Sequence, residues 1–314
     1  MTKEVIDYIN EANNIYIVAH IRPDGDAIGS AYALCLGLRN MGKKAQVIMS
    51  SYSKKFEFLD DVKDAVPTVS ENEYDLLICA DCSDKARLDM LPEDFEKAKK
   101  VVVFDHHKFS SVPSNASIIE EETPACCEVV YKFFKDNSIE ITPKMASFIY
   151  MGIMTDTGSF NYERTTSFSY KIAAEMIDKG ADFVTICKKI NDTMPEAKVK
   201  LMTYVLQNME VYFEGKLRIS VVTQDVLDEF GVDKEDAEGM TNYLRAIEGT
   251  MLAVYIREVE GGLFKASLRS EGNIDCSVIA HDLGGGGHVR AAGFDLIDVE
   301  KTKQEIIKKM EEVL

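Results

Sequence analysis

The sequence has no apolar run of 18 residues, no second CxxC pair beside Cys79–Cys82 and no stretch rich in lysine or arginine, and each absence removes a class of function. Without such an apolar run there is no transmembrane helix to place, and the charged start MTKEVIDYINEANN lacks the apolar core of a secretory signal. A cytoplasmic protein is expected, with no membrane partner. Seven cysteines, an odd count that includes the adjacent Cys126 and Cys127, do not make a disulfide framework; a reducing compartment suits them. A single CxxC without a second pair argues against a structural zinc ribbon. A net charge of −17 without a basic stripe argues against long nucleic acid, whose affinity comes mostly from phosphate contacts. A small anion in a local pocket, especially one holding metal cations, stays open.

What is present begins with size. The 314 residues are 46% hydrophobic, enough for two domains with separate cores. A helix over 3–11 leads into an apolar strand at 15–19. A helix from about Ala27 to Met41, stopped by Gly42, precedes the strand AQVIM at 45–49. This is a βαβ unit and predicts a parallel sheet. Further strands LLICA (76–80) and VVVF (101–104) follow, then helical patterns near 124–136, 143–155 and 167–179. The expected fold class is α/β, with a mostly parallel sheet and helices on both faces over residues 1–190. A helix-like stretch at 195–209 predicts a helical linker over 191–212. Beyond it lie KLRISVVT, a helix near 233–247, MLAVYIREV, and GLFKASLRS entered through a Gly261–Gly262 hairpin turn. A helix near 275–282, four glycines, the strand AGFDLI and a last helix complete a smaller mixed-sheet α/β domain over 213–314.

The chemistry concentrates where the first domain's strands end. Strand 15–19 runs into His20, and the next turn carries Asp24 and Asp26; strand 76–80 ends at Asp81; strand 101–104 ends at Asp105, His106 and His107. Open α/β sheets bind ligands beyond the carboxyl ends of their strands. The helix over 143–155 delivers Asp156, whose charge at a helix C-terminus asks for a cation. Alone, Asp24 or Asp26 reads as a helix cap. Capping does not explain the whole set, which reads as a metal centre. DGDAIG is not a calcium loop, because Ile28 and Cys35 stand where oxygen ligands are needed. There is no P-loop, no dinucleotide glycine fingerprint and no HExxH. Carboxylates assisted by imidazoles suit manganese, cobalt, iron or magnesium, and four carboxylates balance two divalent ions.

HIRPDGDAIGS, CADCSD, FDHH and GIMTDTGSF resemble the four motifs of the DHH phosphoesterase superfamily. LRSEGNIDCSVIA and GGGGHVRAAGF resemble its DHH-associated C-terminal domain, so the resemblance spans nearly the whole chain in the expected order. It implies that His20, Asp24 and Asp81 bind one metal, and that Asp26, Asp81, His106 and Asp156 bind the other, with Asp81 bridging. His107 would face the substrate phosphate and Asp105 would support the shell behind the metals, so that Asp81, His107 and Asp105 make the catalytic set. A bridging carboxylate would hold the ions roughly 3.5–4 Å apart, the spacing of two-metal hydrolases. The second domain would grip a terminal phosphate and close over the metals. In the chain's own terms, bare amides of the glycine run beside Arg269 and His288 make an anion site. The expected substrate contacts are His107, Arg269, Ser270, Asn273, Gly286, Gly287 and His288, while Arg290 reads equally as solvated.

The two-domain layout is similar to nano-RNases that also act as phosphatases. It implies a manganese-dependent hydrolase of short linear oligonucleotides and of 3′-phosphoadenosine 5′-phosphate, with a homodimer left open. The alternative within the same fold is a cyclic di-AMP or linear diadenylate phosphodiesterase. An inorganic pyrophosphatase would lack the glycine-rich second-domain motif, and a processive exonuclease would need a basic path. A nucleotide sensor without turnover is disfavoured by the complete ligand set. The remaining cysteines and the 14 methionines read as core filling. The acidic run Glu120–Glu122 reads as a solvated turn, and Tyr162 and Arg164, just after the fourth motif, read more as a surface loop than as substrate contacts.

Overall fold

Strands buried on both faces lose the polar–apolar alternation and become continuous apolar runs, and the first half of the chain shows this in YDLLICA and KKVVVFD. The computed structural model describes residues 2–314. Its first unit ends at Thr193 and contains α1 (Thr2–Glu11), β1 (Asn14–Val18), α2 (Gly25–Asn40), β2 (Lys44–Ile48), β3 (Tyr74–Ala80), α3 (Pro92–Glu96), β4 (Ala98–Asp105), β5 (Ala116–Ile119), α4 (Cys126–Asp136), α5 (Pro143–Asp156), α6 (Ser167–Asp178) and α7 (Phe183–Asn191). The five strands are all parallel, in the order β2-β1-β3-β4-β5. One face of the sheet, with Ile17, Ile78 and Phe104, packs on the long helices through Val5, Leu34, Val130 and Ile149. The other face, with Val18, Leu77 and Val103, is covered by Phe95 of the short α3 and by Val69, Leu88 and Val112 from irregular segments. The apolar turn residues of those segments carry no periodicity, which is why α3 and β5 leave little trace in the sequence.

The second unit begins at Met194. It contains α8 (Glu196–Gln207), β6 (Glu210–Tyr212), β7 (Leu217–Val222), α9 (Gln224–Phe230), α10 (Met240–Arg245), β8 (Leu252–Glu260), β9 (Leu263–Ser270), α11 (Cys276–Asp282), β10 (Gly286–His288), β11 (Ala291–Leu296) and α12 (Val299–Val313). Its six strands follow the order β10-β11-β9-β8-β7-β6, and only β7 and β8 pair in parallel. Ala253 and Tyr255 share a core with α8, α9 and α10, whereas Val254 and Ile256 share one with α11 and α12. The α8 segment, expected as a linker, belongs to this unit and buries Leu201 and Val205 in it. The helix expected near 233–247 is confined to Met240–Arg245, because Gly239 takes a left-handed φ of +80° at its start and the acidic turn before it offers few apolar anchors. Gly261 and Gly262, both at positive φ, make the expected tight turn between β8 and β9. The glycine run is part strand: Gly286–His288 pairs with β11.

Close helix contact under the sheet depends on α2 meeting α5 at Gly29. A methyl group there would lie 2.6 Å from the Phe148 carbonyl oxygen and 2.9 Å from the Cys127 sulfur. The first obstacle is backbone and cannot rotate away. Gly29→Ala gains up to about 1 kcal/mol of helix propensity but incurs overpacking of about 1–3 kcal/mol. A net fall in the urea midpoint, with an unchanged m-value, is the expected result; a midpoint at or above that of the parent would contradict the packing.

Candidate metal centre

The ends of β1, β3 and β4 bring the chemistry together, and each ligand-type side chain is held by a specific local device. His20 follows β1 and sits in a short antiparallel contact: it bridges Leu88, while Ile21 N–H donates to Arg87 O (2.7 Å) and Asp89 N–H to Ala19 O (2.9 Å). Its Nδ1 lies 2.9 Å from its neighbour's carbonyl, Ile21 O. The proton therefore belongs on Nδ1, and the lone pair of Nε2 faces Asp24 Oδ1 at 4.0 Å and Asp81 Oδ2 at 3.8 Å. Asp24 is also the N-cap of α2: its Oδ1 accepts from the amides of Asp26 and Ala27, each at 3.0 Å. The capping and ligand readings thus coexist in one residue.

Asp26 is fully buried. Its Oδ2 accepts from Cys126 N–H (2.5 Å) and its Oδ1 from Cys127 N–H (2.9 Å), the first amides of α4. A helix N-terminus is a natural seat for an anion. Asp81 leaves β3 at a φ of +53°, uncommon for a residue with a Cβ. Its two oxygens face different ways. Oδ2 looks to His20, whereas Oδ1 is buried without a hydrogen-bond partner, 3.3 Å from His106 Nε2. His106 Nδ1 is tied to Thr123 O at 3.0 Å, so its Nε2 also faces inward, 3.9 Å from Asp26 Oδ2 and 3.5 Å from Asp156 Oδ2 at the end of α5. Asp105 Oδ1 accepts from the amides of His106 (2.8 Å) and His107 (3.2 Å) and lies 2.7 Å from His107 Nδ1.

Three groups are thereby close enough to share an ion each: His20, Asp24 and Asp81; Asp26, His106 and Asp156; Asp81, His106 and His107. They open into a cleft of about 620 Å3. Cys82 lines that cleft, but burial raises its thiol to about 11, so it does not enter as a thiolate. Three cations missed as site residues also line it: Arg87, Lys108 and Arg164. Arg164, read from sequence as a surface loop residue, donates to the carbonyls of Glu121 (2.7 Å) and Thr123 (3.0 Å). Glu121 and Glu122, expected as a solvated turn, form part of the cleft wall. No sequence signal marks these residues, because they arrive on irregular loops.

In the second unit, strand register aligns two of the expected phosphate contacts. His288 of β10 lies opposite Ala291 of β11, which lies opposite Arg269 of β9. Residues opposite one another in antiparallel strands share a face, so Arg269 and His288 point to one side of the sheet. Asn273 and Gly286 are exposed nearby in the chain. Gly287 must be glycine: at a φ of +146°, a methyl group would meet Ala291 O at 2.5 Å. Ser270, expected as a substrate contact, is instead buried, with its hydroxyl placed on the carbonyls of Ile274 (2.7 Å) and Val289 (3.2 Å). Arg290 reaches Ile274 O at 3.2 Å.

The DHH family, N-terminal domain, matches residues 14–153, and the DHHA1 domain matches residues 218–314. The chain carries a DHH domain followed by a DHHA1 domain. A bifunctional oligoribonuclease and PAP phosphatase of Thermus thermophilus is 29% identical to this DHH protein over 96% of this chain and 90% of its own. A probable bifunctional oligoribonuclease and PAP phosphatase of Streptococcus mutans is 25% identical over 97% of each. An exopolyphosphatase-related protein of Bacteroides fragilis has the same fold, with a TM-score of 0.88 and 27% identity over 99% of this chain and 95% of that one. The DHH phosphoesterases are metal-dependent hydrolases, and no helix among the described residues of this one is long and apolar enough to cross a membrane.

The residues at this DHH centre fit divalent cations. The buried Asp81 Oδ1 has no well-placed hydrogen-bond partner and faces only imidazole edges, the nearer being His106 Nε2 at 3.3 Å, and a buried carboxylate oxygen so poorly satisfied is costly unless a cation faces it. Protonation shows the same crowding. Burial, then the neighbouring Asp81 and Asp156 charges, hold the Asp26 carboxyl well above the usual range. Burial likewise lifts Asp156 to about 6, with Asp81 and Asp24 adding to the rise. Burial pulls His106 down, but Asp81, Asp26 and Asp156 outweigh it and push the imidazole up to about 10. Without metal the centre therefore stores protons at neutral pH, and a ligand must shed its proton to bind. Titration of a divalent ion into metal-free protein in weak buffer near pH 7 should release at least about one proton per chain. Apparent affinity should fall as pH drops through about 6, where Asp156 takes up its proton. Affinity that stays level between about pH 5 and pH 8, without proton release, would contradict this linkage.

Proposed function

We propose that this protein hydrolyses short linear oligonucleotides to mononucleotides and removes the 3′-phosphate of 3′-phosphoadenosine 5′-phosphate, using two divalent ions, manganese foremost. The observation that carries the reading is Asp81, whose two oxygens face separate imidazole–carboxylate groups and so suit a bridge between two ions. His20, Asp24 and Asp81 would hold one ion; Asp26, His106 and Asp156 would hold the other together with Asp81. Two imidazoles among carboxylates favour manganese over an all-oxygen magnesium site. When bound, such ions polarise a phosphoryl oxygen and make water acidic enough to attack near neutral pH.

The chain's own residues supply the rest. The Asp105 hydrogen bond raises the His107 imidazole above its usual range and outweighs the effect of burial. Fixed through Nδ1, His107 presents its other ring edge along the cleft wall, where its protonated form would donate Nε2–H to a phosphate oxygen. In the second unit, Arg269 and His288 on their common face would take a terminal phosphate. The relatives' names, and the lack of a basic track on a chain of net charge −17, support a very short substrate.

Asp81→Asn should abolish turnover, because an amide is a poor bridging ligand, yet leave the fold intact, since the side chain is not part of the apolar core. Near-parental rates in that variant would remove the bridging assignment. Substrate choice is tested by kcat/KM at fixed salt and manganese for 5′-phosphorylated oligoadenylates of rising length, cyclic diadenylate, 3′-phosphoadenosine 5′-phosphate and pyrophosphate. The linear dinucleotide should be cleaved best, with decline beyond roughly four nucleotides as added phosphates meet an acidic surface, and 3′-phosphoadenosine 5′-phosphate should lose its 3′-phosphate. Rates that rise with length would indicate an exonuclease, and a cyclic preference would indicate a cyclic-dinucleotide phosphodiesterase.

A further inference from the structure

The three cations that line the metal-type cleft are in different situations. Arg164 is committed to the carbonyls of Glu121 and Thr123. Lys108 lies beside its neighbour's ring, with Nζ 5.8 Å from the Phe109 centroid. The exposed Arg87 guanidinium has no hydrogen-bond or ion-pair partner among the described residues. Its backbone, however, is firmly placed. Asp84 caps the turn Lys85–Arg87 by accepting from Ala86 N–H at 2.9 Å, and the pairing of residues 87–89 with 19–21 fixes Arg87 beside His20. An unpaired cation held next to a metal-type cluster is suited to an anion that arrives with the substrate.

Phe109 stands close by in the chain and is 84% exposed. Isolated exposed apolar side chains are common, but this one tops a loop that is anchored at both ends. At the start, Asp105 binds His107 through both its amide and its Nδ1. At the end, the amide and hydroxyl of Ser111 both donate to Ser83 O, at 2.7 and 3.0 Å. Ser83 in turn opens the segment that leads to Arg87. The two segments therefore form a single lip, lining the cleft through Ser83, Arg87, His107 and Lys108, with a free guanidinium on one part and, next to Lys108 on the other, an exposed aromatic ring. A nucleotide has the matching pair of groups, an anionic phosphate and a flat base.

We propose that the lip formed by residues 83–87 and 107–111 is a nucleotide subsite, in which Arg87 pairs with a phosphate next to the scissile bond and Phe109 stacks on the base. The proposal rests on the phosphoesterase reading above and names the part of the substrate that the catalytic unit grips. Stacking on an aromatic ring is tolerant of base identity, so this subsite recognises nucleotides as a class. The planar guanidinium suits a phosphate in two-point contact, which an ammonium does not reproduce.

The test compares Phe109→Ala, Phe109→Leu, Phe109→Trp, Arg87→Ala and Arg87→Lys on a 5′-phosphorylated diadenylate and on its abasic analogue. Phe109→Ala and Phe109→Leu should lower kcat/KM on the diadenylate about tenfold or more, with a far smaller loss on the abasic analogue, and Phe109→Trp should restore the rate. Arg87→Ala should lose about tenfold on both substrates, only partly recovered by Arg87→Lys. Manganese content should be the same throughout. Binding of 5′-AMP to the manganese-loaded protein, read by calorimetry, tests the subsite apart from turnover and should weaken in both alanine variants. Losses for Phe109→Ala that are equal on the two substrates, or 5′-AMP binding unaffected by either variant, would overturn the subsite. Parental protein that binds 5′-AMP through these residues but cleaves neither substrate would instead overturn the proposed activity.

Discussion

Asp26 holds the key electrostatic position in this protein. It is fully buried, both oxygens rest on the first amides of α4, and Asp81 and Asp156 raise its proton affinity. Two like charges about 4 Å apart repel by about 4 kcal/mol at a typical effective dielectric of about 20. A helix N-terminus returns at most about 2 kcal/mol. The amides alone therefore do not stabilise the ionised cluster, and protons or divalent ions must supply the remainder. Metal affinity, protonation and local order are thus linked through one carboxylate.

The scaffold around Asp26 is shaped to keep that carboxylate in place. At Gly152 of α5, a methyl group would come within 2.2 Å of Cys127 Sγ and 2.7 Å of Asp26 Oδ1. The missing side chain leaves room for the carboxylate between α2, α4 and α5. Burial keeps the Cys126 and Cys127 thiols protonated far above neutral pH, so these cysteines act as small packing groups whose amides matter more than their sulfur. Asp81 adds a second constraint, since its left-handed backbone costs about 1–2 kcal/mol. That strain turns the carboxylate so that its two oxygens serve two sides.

The sequence exposes the parts of this design that follow from periodicity. Apolar runs at 15–19, 76–80 and 101–104 locate β1, β3 and β4 within a few residues, and their ends hold the ligand-type residues. Short or glycine-rich elements are different. The five-residue α3 and the seven-residue α9 are too short for a hydrophobic stripe, and Gly286–His288 forms a strand without any apolar side chain. Long-range ties are invisible for another reason. The Asp26 contact with Cys126 and Cys127 spans about a hundred positions, and the His20–Leu88 bridge depends on how irregular segments cross. Ser270 runs the other way: it is expected as a substrate contact, whereas its hydroxyl is placed on the carbonyls of Ile274 and Val289 in the turn after β9.

On the proposed reading, a chain of net charge −17 must attract a polyanion. The conflict is resolved by distance. Charges on the outer surface are screened over about 8 Å at physiological ionic strength, so a substrate already in the cleft responds mainly to what lines it. Two divalent ions would cancel the four aspartates of the cluster, leaving Arg87, Lys108 and Arg164 to set the local sign against Glu121 and Glu122. A polymer leaving the cleft would run back into the acidic exterior, with no basic path to offset each further phosphate. The same charge distribution that admits one or two phosphates thus opposes a long chain. On that reading, electrostatics at the cleft mouth would limit substrate length without any need for a steric wall.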